Sequence, residues 1–137
     1  MHVSNLPTNI RDGSGGAETY CNSIFVFESA GLRAAHLSHL HHLLEPEDIG
    51  APGHIDIVMA PVDGTYTMSQ EGMAAVLEQI QLRAVLPMHY FARSVLDRFI
   101  ALEQNRFDAE VRASATLRIS RQTLPAQPTI IALPGGY

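Results

Sequence analysis

Residues 54–90, HIDIVMAPVDGTYTMSQEGMAAVLEQIQLRAVLPMHY, decide the fold. Residues 55–60 are short, apolar and rich in β-branched side chains (Ile55, Ile57, Val58), as a buried strand requires. Pro61 stops this strand, and Asp63-Gly64 marks a turn. Thr67 is placed to cap the following helix, with Gln70 completing a capping box. Met73, Val76, Leu77 and Ile80 then recur at i, i+3, i+4 and i+7, the period of a helix with one buried face. Ala84-Val85-Leu86 is a second apolar run, cut off by Pro87, which leaves Met88, His89 and Tyr90 at or just beyond its end. A strand, a helix and a neighbouring parallel strand make a βαβ unit, whose chemistry gathers at the carboxyl ends of its strands. Asp63 and His89 therefore fall on one rim, where a ligand or metal would bind.

Outward from this unit, residues 2–6 read as a strand ended by Pro7, and residues 12–16 (DGSGG) as a flexible loop. Residues 23–28 (SIFVFE) alternate as a strand covered on both faces. Ser29-Ala30-Gly31 makes a hairpin turn, and residues 32–37 return as the partner strand. Glu45-Pro46-Glu47-Asp48 has the composition of an acidic first helical turn, ended by residues 50–53 (GAPG). Beyond His89 a helix is expected over about residues 92–105. Val95, Phe99 and Leu102 form its stripe, Leu96 and Ile100 widen it, and Arg93 meets Asp97 one turn on. The tail offers strand candidates at 110–111, 116–120 and 129–133, and Pro134-Gly135-Gly136 closes the chain. The order predicts a mixed α/β domain, with helices covering a largely mixed sheet.

At 137 residues the chain is expected to form one domain with a real core. Its 46% apolar and 17% charged content describes a folded protein. Net charge is −5, and all nine cationic residues are arginine. No basic run interleaves with aromatics, which argues against nucleic acid as a partner. No apolar stretch reaches the roughly 18 residues of a membrane helix. The first residues lack the charged start and apolar run of a signal peptide, so a cytoplasmic location is expected. The single cysteine, Cys21, excludes an internal disulfide and is expected to be a packed small side chain, with a nucleophile as the other reading.

Seven histidines is a high number for this length, and four of them, at 36, 39, 41 and 42, share the run AHLSHLHHLL. A metal site needs several neutral imidazoles or carboxylates converging from fixed elements. His36 lies within the strand and His39 where the strand gives way to a loop. If residues 40–44 turn helically, His42 shares a face with His39 while His41 points elsewhere. The plainer reading makes these exposed or hydrogen-bonded imidazoles of a polar loop. His89 is either a hydrogen-bonding group at a strand end or a ligand on the rim. Asp63 either orients an imidazole from outside the ligand shell or simply makes its turn. Tyr66 and Tyr90 line a pocket or pack at its edge, and Met59, Met73 and Met88 read as core.

The combination of LRAAHLSHLHH, IDIVMAPVDGTYTM and AVLPMHY resembles the C-terminal half of metallo-β-lactamase-superfamily hydrolases, in the branch of predicted Zn-dependent hydrolases related to the lactonase-like group. Members of that branch show a strand ending in a His-Leu-Gly-Asp-like motif, then Pro-Val-Gly-Gly, Tyr-Thr-Met or Tyr-Thr-Ile, a helix and a closing Pro-Met-His-Tyr. The likeness covers about residues 22–90. It implies half of an αββα sandwich: a mixed sheet with helices packed on one face. It also makes His89 the family's last metal-binding histidine and sets His39 where an aspartate usually bridges two ions. A neutral imidazole has one free lone pair and cannot bridge, so His39 favours one metal or two held differently; His42 is a further ligand candidate. The family's main metal cradle, His-x-His-x-Asp-His, has no match here.

Two readings of function follow. In the first, the chain is part of a hydrolase in which Zn²⁺ or another divalent transition metal activates water against a small-molecule ester, lactone or phosphoester. His39, His89 and His42 are then ligands, Asp63 orients them, and Tyr90 or Tyr66 donates to the developing oxyanion. The missing half comes from another segment or a second copy, and this chain alone is weakly active or inactive. In the second, the chain is a self-associating or partner-binding α/β module, a homodimer whose histidines are structural. A weaker third reading is a metal-storage loop of His36, His39, His41 and His42.

Overall fold

The computed structural model describes residues 1–11, 17–50 and 53–135. The expected loop at 12–16, residues 51–52 of the expected helix stop, and part of the closing turn fall outside them. Strands β1 (His2–Arg11), β2 (Ala17–Ser29) and β3 (Leu32–His36) form an antiparallel meander. The β2–β3 turn puts Ala30 at φ 50° and Gly31 at φ 75°, the left-handed pair that a two-residue hairpin demands. From β3 onward all pairings are parallel, through β4 (Ile57–Pro61), β5 (Ala84–Met88), β6 (Asp108–Val111) and β7 (Thr129–Ala132). One seven-stranded mixed sheet results, in the order β1-β2-β3-β4-β5-β7-β6. The helices are α1 (Pro46–Gly50), α2 (Gln70–Gln79) and α3 (Arg93–Glu103).

The predicted βαβ unit is β4-α2-β5. Met73, Val76 and Leu77 of α2 and Leu96 and Phe99 of α3 bury against Val58, Ala60, Val85 and Ile130 on one face of the sheet. On the opposite face, Ile57, Ala84 and Ile131 are covered by Leu117, Ile119 and Leu124 from the segment before β7. That segment contains the expected strand at 116–120. It pairs with nothing as a ladder, because its apolar side chains serve as a lid on the sheet instead.

Several local expectations need correction. Pro7 lies inside β1 opposite Ser23; β1 is an edge strand, where a missing N–H costs little. Pro87 likewise lies within β5, next to its last residue. Ser69, not Thr67, caps α2, accepting from the Gly72 N–H at 3.0 Å. The Thr67 hydroxyl goes instead to the Asp63 carboxylate at 2.6 Å, a stronger acceptor than a helix terminus offers a hydroxyl. On α3 the buried stripe is Leu96, Phe99 and Glu103, while Leu102 is exposed. Cys21 is exposed rather than packed. The meander is not covered on both faces: Val3 is 46% and Phe25 40% exposed, and their register places them on the face away from the helices.

Glu103 is the anomaly of the core, 2% exposed with Oε1 lacking a hydrogen bond and Oε2 3.3 Å from Arg106. Burial pushes its carboxyl above the ordinary glutamate range; Arg106 pulls it back and Glu78 pushes further up. A carboxyl with a raised folded pKa gives most stability below its unfolded value near 4.3, and loses it as pH climbs through the folded value. Glu103→Met is therefore expected to stabilise the protein by about 1–2 kcal/mol at pH 7. The gain should shrink towards pH 4, as urea melts at both pH values will show; a constant gain would exclude this account.

Candidate functional site

The parallel strands β3, β4, β5 and β7 all end on one rim. Beyond it the ladder continues through Leu37 N–H to Met59 C=O and Val62 N–H to Met88 C=O, each 3.0 Å. This fixes where the next residues emerge. After β3 the chain turns at Ser38 (φ 54°), and after β5 at His89 (φ 61°). Neither residue is glycine, so both left-handed turns are strained. Ser38 stands where the resembled motif has its glycine, which accounts for that glycine in backbone terms.

The turns bring His39 and His89 into edge-to-face contact, with ring centroids 4.8 Å apart. Asn22, buried in β2, holds the His39 loop. Its Oδ1 accepts from the His39 N–H at 2.9 Å, while its Nδ2 donates to Leu37 C=O at 3.2 Å and Thr8 Oγ1 at 2.8 Å. His36 lies close behind. Burial lowers its pKa, the neighbouring His89 and His39 lower it further, and its backbone hydrogen bond acts the other way. Its Nδ1 accepts from the Ser38 N–H at 3.1 Å, so in the neutral ring the proton sits on Nε2.

The other predicted residues take different places. His42 has both ring nitrogens engaged, Nε2 accepting from the Asn9 N–H at 3.0 Å and Nδ1 meeting Leu43 C=O at 2.7 Å. It has no lone pair left to ligate an ion in this arrangement. Asp63 spends its carboxylate on its own loop. Oδ2 accepts from the N–H groups of Thr65 (2.9 Å), Tyr66 and Thr67 (3.1 Å), and Oδ1 from the Thr67 hydroxyl. Burial works to raise its pKa, but the Thr67 hydroxyl and the three N–H groups outweigh it and hold the group below the ordinary range. Tyr90 is buried, and its hydroxyl donates to Leu133 C=O, so its proton is committed to the end of β7. Tyr66 lies outside, its ring edge-on to Phe91 at 6.1 Å, and Phe91 is edge-on to His89 at 5.7 Å.

Sequence reasoning missed Asn22 and Phe91. A polar residue on the core-facing side of a strand was the available signal for Asn22; nothing distinguished Phe91 beyond its place after His89. Among the described residues, no group of three or more His, Cys, Asp or Glu is disposed to hold a metal ion. Likewise, no helix is long and apolar enough to cross a membrane.

Solved structures share this architecture. A Thermotoga maritima protein assigned to the Zn-dependent hydrolases of the metallo-β-lactamase superfamily is 28% identical, with TM-score 0.71 over 93% of this chain and 69% of its own. A family profile described as a beta-lactamase superfamily domain matches residues 1–89. The chain belongs to the metallo-β-lactamase superfamily. Two further proteins share the fold: a Parabacteroides distasonis protein assigned as a metal-dependent hydrolase and the metallo hydrolase Igni18 of the archaeon Ignicoccus hospitalis. The first is 21% identical (TM-score 0.59, 80% of this chain and 50% of that one), the second 18% (TM-score 0.53, 75% and 45%). This chain thus spans about half the length of two of the three.

Proposed function

We propose that this chain is a metal-dependent hydrolase-like domain in which His39 and His89 are two ligands of one divalent ion, serving the hydrolysis of an ester, lactone or phosphoester. The observation that carries the reading is the meeting of these two rings, 4.8 Å apart, on the carboxyl rim of the parallel strands. Imidazole donors suit zinc and its transition-metal neighbours, and rings this close are within reach of an ion bonded at about 2.0–2.1 Å. Such an ion supplies a water acidic enough to attack at neutral pH. The fit is partial: a catalytic zinc site takes three protein ligands, and the described residues offer two. The remaining donors come from a further segment or a second chain, so activity of this chain alone is low. Asn22 sets the position of His39, and the loop braced by Asp63 shapes the rim beside them.

The test is zinc titration of the full chain by calorimetry. The wild type is expected to bind one ion weakly, and His39→Ala/His89→Ala to weaken binding by at least about 100-fold. Equal binding by both removes the site. A second reading, a non-catalytic self-associating module, draws on the exposed Val3 and Phe25 on the sheet face opposite the helices. Its mark is a homodimer that forms without metal.

A further inference from the structure

We propose that Phe91 and Tyr66 form a wall that receives an aryl group of the substrate, beside the His39–His89 pair; this rests on that pair's reading as metal-bearing. The two side chains are 61% and 76% exposed, although each carries a large apolar ring. A solitary exposed aromatic needs no explanation. Here two adjoin each other and continue the edge-to-face series His39–His89–Phe91–Tyr66, with centroids 4.8, 5.7 and 6.1 Å apart. A cavity of about 350 Å³ opens beside Phe91, between His89, Phe91, Leu133 and Pro134. Its size falls in the lower range of small-molecule sites, and its walls are mainly apolar, with His89 among them.

This arrangement separates two tasks. The histidines sit at one end of the aromatic series, where the polar, reacting part of a substrate belongs. The Phe91 and Tyr66 rings extend from there into solvent and offer edges and faces to a planar group, which aromatic pairs prefer over an aliphatic chain of equal area. The two rings come from separate segments of the chain. Phe91 precedes α3, while Tyr66 is carried by the loop that Asp63 gathers through its backbone N–H groups. In this role the wall selects the substrate by its ring, while the histidines face its polar part.

The experiment compares phenylphosphonate with methylphosphonate, which share a metal-binding head group and differ in the ring, by NMR titration of the zinc-loaded full chain. The wild type is expected to prefer the phenyl compound by about three- to ten-fold. Phe91→Ala should abolish the preference and Tyr66→Ala reduce it, both with unchanged zinc content and thermal unfolding, since both rings lie mostly in solvent. Equal affinity for the two phosphonates, or a preference that survives Phe91→Ala, overturns the proposal. A change of oligomeric state in Phe91→Ala, with the preference unaltered, overturns it in favour of a protein interface. Benzyl alcohol against ethanol, followed by saturation transfer in metal-free protein, reads the wall separately. Signal lost in Phe91→Ala but kept in His39→Ala/His89→Ala sustains the wall even if zinc binding fails, and no signal in wild type counts against it.

Discussion

Asp63→Ala is expected to lower the free energy of unfolding by about 3 kcal/mol, or roughly 10 °C in melting temperature for a chain of this size. The carboxylate gathers four donors within a five-residue loop. Thr65 and Tyr66 are exposed and can turn their N–H groups to water, but Thr67 is 1% exposed and loses partners for both its N–H and its hydroxyl. Those two stranded donors carry most of the cost. Asp63→Asn keeps the shape and one good acceptor but loses the charge, so it should fall about midway. The pH dependence gives a second check. Because the folded pKa of Asp63 lies below its ordinary value, its contribution is complete above about pH 4 and disappears as pH falls through the folded value. Wild type should therefore lose stability over that acid range more steeply than Asp63→Asn. A melting temperature for Asp63→Ala within about 2 °C of wild type would show that the loop holds without the carboxylate.

Of the two roles the sequence left open for Asp63, orienting an imidazole or making its turn, its carboxylate is engaged in the second, and that choice marks how far the sequence reaches. Period and composition gave the βαβ unit, its buried α2 face and the hairpin turn correctly, because those depend on neighbours a few residues away. They also put Asp63 and His89 on one rim, since parallel strands place their ends together whatever the side chains do; His39 was set beside them only by the family resemblance. The failures arise where a polar group had a choice of partner. Thr67 and Gln70 looked like a capping box, but the Asp63 carboxylate and the carbonyls of Val62 and Val95 won them. His42 looked like a ligand from its spacing, until the β1 backbone at Asn9 took its Nε2. Tyr90 looked like a pocket donor, and a carbonyl forty-three residues away claimed it. Asp63 is only four residues from Thr67, but Val95, Asn9 and Leu133 lie 25, 33 and 43 residues from the groups they engage, and no local pattern could rank partners that far away.

Asn22→Ala should couple that lesson to the proposed metal pair. The side chain satisfies a loop N–H, a buried carbonyl and a buried hydroxyl at once. Leu37 and Thr8 are 1% and 3% exposed, so water cannot easily replace what is removed, and a loss of about 2–4 kcal/mol is expected. The site should respond separately. With its N–H released, the His39 loop is no longer held against β2, and zinc affinity of the folded protein should fall by about 10–100-fold, as it does when an outer residue that orients a ligand is lost. His39→Ala is the matching control: its side chain is exposed, so it should abolish that affinity with little change in stability. Asn22→Asp distinguishes the two roles within one side chain. It keeps an acceptor for the His39 N–H but loses both donors and turns a charge towards Leu37 C=O, so stability should fall while affinity measured on folded protein largely persists. If Asn22→Ala unfolds more easily yet binds zinc as wild type does, Asn22 is a structural residue only, and the strained turn at Ser38 is enough to aim His39.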